Sequence, residues 1–565
     1  MLYIRNFCIC FIVFVFFILG AYAQKPKWLK KACKAQVSVV TYNKNGDILH
    51  SGQGFFINES GVALTNYSIF KGAARAVVVD AKNQTYDVEW IEGASSLYDI
   101  VKFRVRTDEK TSYLKVSDKM VSQGEKVFFL ANPKATSVKY YVDTIKQADS
   151  FEKQHFYYTL TTSSDEKFVS SPVLNVAGEV VAMMQMPAKG KNQTMYAVGC
   201  SYGESLGIQA LSVNDSDLRA IHIKKALPSD AQQASTYIYL LGLQDTTLYS
   251  DCIKDYIVKF PNEANGYVLM TEYLLGKGQY SLAEEVYNKG LEIVVAKDEI
   301  LFSFSKALYV LNQRKSYQPY ADWTMERALA EVDRAIALNP LPLYSKHQAD
   351  CMYALGRYED ACRVYLSLNE TNMKSAENYL YASQCKRMLS DDLTEVLALQ
   401  DSALALFTKP YIKEAAPVLM IRSTTLHEAG KYREAVIDLY DYEHLMRNEV
   451  NANFYYHREQ IEIKCRMFQQ ALDDIERACK MQPQEPLFHA EKAAVHYRVG
   501  QQEDAIASAR KAVELNDEFA AAHRLLGMCL VENNQKAEGL KHLKRAAELG
   551  DATATSIMNK SVSVP

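Results

Sequence analysis

The chain has 565 residues, 48% of them hydrophobic and 23% charged, with a formal net charge of -3. That length exceeds what one hydrophobic core spans and points to two or more domains of the ordinary globular class. A near-neutral balance with no concentrated basic surface excludes nucleic acid as an expected partner.

At the start, Arg5 precedes an almost wholly apolar run over 7–20 and then Ala21-Tyr22-Ala23, which offers small residues at the two positions that a signal peptidase inspects. Residues 1–23 therefore read as a secretory signal, with a mature start near Gln24 and a periplasmic, extracellular or cell-envelope location. An uncleaved anchor is the alternative, because the run is not far short of the roughly 17 to 25 residues that span a bilayer. Cys8 and Cys10 sit inside the run, so neither reads as a lipid attachment site. No later stretch is long and apolar enough to span, so no stable membrane span is expected after cleavage. The rest of the chain holds Cys33, Cys200, Cys252, Cys351, Cys362, Cys385, Cys465, Cys479 and Cys529. They are scattered and odd in number, with no pair spaced for a metal, and no cofactor is expected. Most read as buried small hydrophobes, although a bridge such as Cys351 to Cys362 is open in an oxidising compartment.

Up to about residue 210 the pattern favours strands. The runs 36–42, 54–57, 76–79, 85–90, 100–105, 126–130, 140–145, 156–161, 179–184 and 195–198 are rich in Val, Ile, Phe and Tyr and are broken by Gly, Asn and Asp. Many short strands without long helices between them predict an all-β barrel or sandwich.

Three stretches make this reading specific. Gly52-Gln53-Gly54-Phe55-Phe56-Ile57 is followed by Gly61-Val62-Ala63-Leu64-Thr65-Asn66-Tyr67-Ser68. Tyr98-Asp99-Ile100-Val101-Lys102-Phe103 comes next, and Lys167-Phe168-Val169-Ser170-Ser171-Pro172-Val173-Leu174-Asn175 leads to Gly178-Glu179-Val180. The region resembles the trypsin-like serine proteases, especially their bacterial HtrA-type and glutamyl endopeptidase branch. The resemblance implies a double β-barrel over 34–212, with halves 34–112 and 113–212 and a cleft between them. It also implies a strand that runs from Leu-Thr-Asn into a catalytic histidine, an aspartate that orients the ring, and a Gly-Asn-Ser-Gly-Gly-Pro nucleophile loop. Carried onto this chain, the histidine position holds Ser68, the aspartate position holds Asp99 and the nucleophile position holds Val169. The glycine that shapes the oxyanion loop is Lys167, and the two glycines after the nucleophile are Ser170 and Ser171.

Amide hydrolysis on this fold needs a hydroxyl, a base, an orienting carboxylate and backbone donors for the developing oxyanion. Valine cannot attack, and serine has no nitrogen that titrates near neutrality. A lost oxyanion donor alone costs roughly 3 to 4 kcal/mol in known cases. His50 and His155 are the nearest histidines in sequence, and both read as loop or edge residues. The catalytic set is therefore expected to be empty, with the cleft either filled by Phe168, Val169 and Met184 or left to bind an extended peptide.

After about residue 230 a small residue recurs with larger ones at fixed offsets, at a period of about 34. Gly278-Gln279-Tyr280 leads to Ala283 and Tyr287, Gly356-Arg357-Tyr358 to Ala361 and Tyr365, and Gly430-Lys431-Tyr432 to Ala435 and Leu439. The alanines expected where two helices touch are Ala283, Ala328, Ala361, Ala398, Ala435, Ala471 and Ala505, with Gly539 in the last unit. Pro340, Pro410 and Pro483 read as stops after second helices. This resembles the tetratricopeptide repeats over 234–551, with a linker at 213–233 and a tail at 552–565. The first unit is degenerate, its only candidate turn glycine being Gly242, and an insertion is expected near 312–322. The helix near 537–549, lysine-rich on one face, reads as the cap.

Such stacks imply a protein-binding surface lined by the first helices. By register its candidates are Met420, His427, Tyr456, Lys464, Tyr497, Arg498 and Arg524, a basic and aromatic mixture that favours an acidic or carboxylate-ended protein partner. Ordinary solvated surface is the alternative for each. The expected function is an exported, catalytically inactive adaptor. An active endopeptidase with an unusual site and a purely structural envelope component are the rivals, and the oligomeric state is open.

Overall fold

The computed structural model describes residues 26–130, 140–152, 154–163, 165–185, 194–244, 248–314, 320–390 and 392–562. The expected export segment, with Cys8 and Cys10, lies outside the described residues. The chain divides into two compact units, Met1–Ala296 and Lys297–Pro565.

The first unit opens with α1 (Leu29–Ala35) and runs into β1 (Gln36–Tyr42), β2 (Ile48–Phe56), β3 (Val62–Thr65), the single turn α2 (Tyr67–Phe70), β4 (Arg75–Asp80), β5 (Thr85–Ser95) and β6 (Ile100–Val105). In β6 the side chains of Val101, Phe103 and Val105 are buried and alternate with half-buried Lys102 and Arg104, the period-2 signature of a strand with one face on a core. The six strands close in the order β1-β2-β3-β6-β5-β4, with β1 pairing β4 from Val37↔Asp80 to Tyr42↔Arg75. A second set follows: β7 (Lys126–Leu130), β8 (Tyr140–Phe151), β9 (His155–Ser163), β10 (Pro172–Leu174), β11 (Val180–Met184) and β12 (Thr194–Gly199). It closes as β10-β11-β12-β9-β8-β7. Closure leaves neither barrel with an unpaired edge. The fold class is thus the two antiparallel barrels expected, with β3 and β10 as additional short strands. Their four and three residues are too few for periodicity to reveal.

Between the barrels lies one apolar cluster. Phe55, Val62, Leu64 and Ile100 of the first barrel meet Leu130, Leu174, Met183 and Val198 of the second, and Leu29, Ala32 and Ala35 of α1 complete it. Trp28 seals the same seam, its indole Nε1 donating to the Val176 carbonyl at 3.2 Å and its ring standing edge-on to Phe128 at 5.4 Å.

The barrel is followed by α3 (Cys200–Ser205) and α4 (Ser216–Arg219). The 213–233 segment, expected as a linker, packs back on the barrel: Ile221, Ile223 and Leu227 are buried, and Lys225 forms a parallel bridge with Ile91.

Paired helices come next. They are α5–α6 (Ala231–Gln244, Tyr249–Lys259) and α7–α8 (Ala264–Gly276, Tyr280–Ile293) in the first unit. In the second unit they are α9–α10 (Lys297–Asn312, Met325–Leu338), α11–α12 (Pro342–Ala354, Tyr358–Ser367), α13–α14 (Ala376–Leu389, Leu393–Leu404) and α15–α16 (Ala416–Glu428, Tyr432–Leu445). The series ends with α17–α18 (Ala452–Lys464, Phe468–Met481), α19–α20 (Pro486–Arg498, Gln502–Leu515), α21–α22 (Ala520–Glu532, Lys536–Glu548) and the unpaired α23 (Ala552–Val562). This is a paired-helix solenoid of the tetratricopeptide kind. Its register is strict: the fourth residue of each second helix is buried, and it is Cys252, Ala283, Ala328, Ala361, Val396, Ala435, Ala471, Ala505 or Gly539.

Several sequence expectations need correction. Ala398 is exposed and Val396 takes its place, because α14 starts at Leu393, which makes Val396 its fourth residue and Ala398 its sixth. Gly242 lies inside α5 rather than in a turn, and a Cβ there would meet the Tyr249 ring at 2.7 Å. Pro340 and Pro483 follow their helices within two residues, whereas Pro410 stands six beyond the end of α14. The cap is α23, not α22: Ala554, Ile557 and Met558 form a stripe at helical spacing that rests on Leu543 and Ala546. Cys351 and Cys362 are not bridged, and all nine described cysteines are free thiols. Of the expected insertion, 315–319 lie outside the described residues. Among the described residues no helix is long and apolar enough to cross a membrane, and no group of three or more His, Cys, Asp or Glu side chains is arranged to hold a metal ion.

The turn inside a pair requires a left-handed residue. Gly278, Gly356, Gly430 and Gly500 supply it with φ between 72° and 79°, and where glycine is missing Arg466 and Asn534 adopt φ of 59° and 62°. Nothing lies within 4 Å of where a Gly356 Cβ would stand, so the penalty of Gly356→Ala is conformational alone. We expect it to cost about 1 kcal/mol, and Arg466→Gly to return a similar amount. Urea titration of each variant measures both.

Candidate functional site

The expected catalytic positions converge at the mouth between the barrels. β3 ends at Thr65 and delivers Asn66 and Ser68. Asp99 stands in the β5–β6 loop with φ 43°, and residues 165–171 connect β9 to β10. The Asp99 carboxylate is fully engaged. Its Oδ1 accepts from the Ser68 amide at 2.7 Å, and its Oδ2 accepts from Ser68 Oγ at 3.3 Å and from Asn66 Nδ2 at 2.9 Å. Asn66 Nδ2 also reaches the Asp99 carbonyl at 2.9 Å. That leaves the Asn66 carboxamide oxygen to face the second barrel, where it accepts from Ser170 Oγ. Asn66 and Ser170 are both fully buried.

The result is a chain of carboxylate, carboxamide and hydroxyl, where a protease would need carboxylate, imidazole and hydroxyl. An amide oxygen accepts a hydrogen bond but takes no proton near neutrality. Ser68, at the histidine position, is exposed and turned to Asp99. Val169, at the nucleophile position, is half-buried and carries no hydroxyl.

The loop is equally closed to an oxyanion. Residues Glu166–Phe168 form one 3-10 turn started by Asp165, whose side chain accepts from the Lys167 amide at 3.0 Å. The Phe168 amide donates to Asp165 O at 3.0 Å, the Val169 amide to Glu166 O at 3.2 Å, the Ser170 amide to Met184 O at 2.9 Å and the Ser171 amide to Phe168 O at 3.0 Å. Every amide from 167 to 171 is spent within the protein. Phe168 and Met184 belong to the core of the second barrel rather than to the cleft, the Phe168 ring lying edge-on to Phe129 and Tyr141 at 4.8 Å from each. Ser170 holds φ 63° and Ser171 Oγ is buried without a hydrogen-bond partner. Ser170 thus adopts the left-handed backbone that favours glycine.

Neither histidine supplies a base. His50 is exposed on β2. His155 opens β9, packs against Phe151 and Tyr202, and has Nδ1 3.2 Å from Ser201 Oγ, a serine at the start of α3 and not of the 165–171 loop. A second constellation of reactive types lies in the solenoid, where His347 Nε2 stands 3.0 Å from Ser305 Oγ and 3.7 Å from Cys351 Sγ. Burial pushes the Cys351 thiol up to about 12 and the His347 ring down to about 4. A protonated thiol beside an imidazole that stays neutral is packing, not a nucleophile.

The solenoid candidates occupy repeating register positions. Met420, Tyr456 and Arg524 are the fifth residues of their helices, His427 and Tyr497 the twelfth, and Lys464 and Arg498 the thirteenth. Met420 and Tyr456 pack on the same apolar cluster. Arg524 is held by Asp551 at 2.8 Å and Tyr497 donates to Glu532. Lys464 and Arg498 are exposed, and neither is in an ion pair among the described residues. Sequence reasoning missed what lies beneath them. Arg458 is fully buried, forked onto Asp474 at 2.6 and 2.9 Å, paired with Glu443 at 2.7 Å and stacked over Tyr440. Arg422 makes the same fork to Asp438 one unit earlier, at 2.8 Å on both arms, a repeat that the spacing could have revealed.

Residues 52–183 match the family model of the trypsin-like peptidase domain, so such a domain is present in this chain. No curated protein matches the sequence.

One buried carboxyl breaks the solenoid pattern. The eighth residue of a first helix is Ile238, Thr271, Phe304, Ala349, Ser383, Ser423, Ala493 or Gly527, but in α17 it is Glu459, fully buried with Oε1 unpartnered. Burial, reinforced by Glu491 and Glu462, pushes its carboxyl up to about 8. The folded state therefore holds a proton that the unfolded chain has already released above its ordinary range. Stability falls as pH rises from about 4.5 to about 8 and is level beyond. We expect the melting temperature of Glu459→Gln to depend less on pH across that window and to exceed that of the parent above pH 8, as measured by circular dichroism.

Proposed function

We propose that the protein is an exported, catalytically inactive relative of the serine proteases, of the bacterial HtrA-type and glutamyl endopeptidase branch, that works as a protein-binding adaptor. The observation that carries this reading is the Asn66 carboxamide standing between Asp99 and Ser170, with the amides of 167–171 already bonded. Such a site has no proton acceptor and no free donor for an oxyanion, the two requirements that binding energy cannot replace. Val169 and Ser68 at the nucleophile and histidine positions support it.

The adaptor surface is assigned to the paired helices of 234–551. Met420, His427, Tyr456, Lys464, Tyr497, Arg498 and Arg524 are its proposed contacts, and an acidic or carboxylate-ended protein segment is the proposed partner. The exposed charges of Lys464 and Arg498 and the aromatic ring of Tyr456 favour that chemistry. The signal-like residues 1–23 favour action in a bacterial periplasm or at the cell surface.

A fluorophosphonate probe tests the inactive site. The mature protein is expected to stay unlabelled, and so is Ser68→His with Val169→Ser, because the loop amides still point inward. Labelling is expected only after Lys167, Ser170 and Ser171 are also changed to glycine. Stoichiometric labelling of the parent, abolished by Ser170→Ala, would sink the assignment. For the adaptor role, photo-cross-linking of the intact mature chain in its envelope is expected to yield a defined partner that Tyr456→Ala with Arg498→Glu loses. Unchanged capture by that variant would move the binding surface elsewhere.

A further inference from the structure

A pocket of about 500 Å³ lies in the first unit, away from the Asp99 site, between the β1–β2 turn, the chain leaving the second barrel and helices α5 and α6. Five basic side chains line it: Lys44, Arg219, His222, Lys224 and Lys225. No carboxylate does. Lys224 is paired with Asp255 outside the lining, while Lys44 and Arg219 are exposed and in no ion pair among the described residues. Asp215 and Asp217, the nearest acids in sequence, are occupied in capping α4 and in holding the Ser96 amide.

Lys225 is the cation at the inner wall. Its Nζ donates to Ile221 O at 2.7 Å and to Ile223 O, which leaves one of its three donors unused. Burial pushes it down to about 8, and the His222 ring is lowered by burial and then by the charges of Lys44 and Lys225. The His222 ring thus lies within the field of Lys44 and Lys225. The opposite lining is apolar, with Leu218, Ile223, Tyr237 and Leu241 all buried. Lys44, Arg219 and Lys225 line the pocket with no ion-pair partner among the described residues, and an anion placed among them removes their mutual repulsion while an apolar body covers the remaining wall. The volume suits a small molecule and not a folded partner.

We propose that this pocket is a binding site for an organic anion with an apolar body, a carboxylate on a hydrocarbon chain, whose head group sits among Lys44, Arg219 and Lys225 and whose chain lies on Tyr237 and Leu241. Isothermal titration of the full mature chain with three probes below their aggregation limits tests it. Dodecanoate is expected to bind saturably at one site, dodecan-1-ol at least tenfold more weakly, and inorganic phosphate not measurably in the same range. Lys44→Glu with Arg219→Glu changes exposed side chains only. It is expected to weaken dodecanoate at least tenfold and to leave dodecan-1-ol binding and the melting temperature unchanged, which separates a lost charge from a lost fold. Equal affinity for dodecanoate and the alcohol, phosphate binding as tight as dodecanoate, an unaffected double variant, or no saturable binding of dodecanoate would each overturn the proposal.

Discussion

The Asn66 carboxamide has two ends, and both are used: its nitrogen donates into the first barrel, to Asp99, and its oxygen accepts from Ser170 of the second. A buried amide is stable only when both ends are satisfied, so this one side chain ties the two barrels at the place where a protease would keep an imidazole free to move a proton. The positions of Asp99, Ser68 and the 165–171 loop follow from that constraint. Asp99 no longer orients a ring and instead holds the turn from Asn66 to Ser68. The loop closes on Asp165 as a single turn. The apolar packing of the domain lies elsewhere, in the shared cluster between the barrels and in the α1 segment that seals it.

A different constraint governs the helical part. Two helices of a pair touch at the fourth residue of each second helix, which is buried from Cys252 to Gly539 and is small in every pair except α13–α14, where it is Val396. Where the pattern departs from small or apolar residues, the protein compensates with charge. Arg422 and Arg458 enter the interior only because Asp438 and Asp474 meet them with matched two-pronged geometry, and breaking one partner of such a pair would leave an uncompensated buried charge. Glu459 has no such cation, and it is the residue whose protonation the interior controls.

Much of this was legible in the residues. Alternation announced β1, β6 and β7 to the residue, and the alanine spacing announced every pair but α5–α6 and α13–α14. In α5–α6 the small position is Cys252 and the turn lacks glycine. In α13–α14 the first helix is one residue longer and Val396 replaces alanine. The short strands β3 and β10 escaped because three or four residues carry no period, and α23 escaped because its stripe of Ala554, Ile557 and Met558 is brief. At the site, the motif spacing drew attention to Ser68, Asp99, Lys167 and Val169, of which Ser68 and Asp99 are hydrogen-bonded to each other in the fold.

What the linear order could not contain is which groups meet. Chain chemistry alone decided that the nucleophile and histidine positions hold residues unable to attack or to accept a proton, since valine and serine lack the necessary atoms wherever they sit. Only the closed barrels decided that Asn66 would span from Asp99 to Ser170, that the amides of 167–171 would turn inward, and that Lys44, Arg219 and Lys225 would share one pocket. The Asn66 span and the shared pocket depend on groups tens to more than a hundred residues apart, and their hydrogen bonds and charges acquire an energy only when folding brings them within a few ångströms and takes the water away.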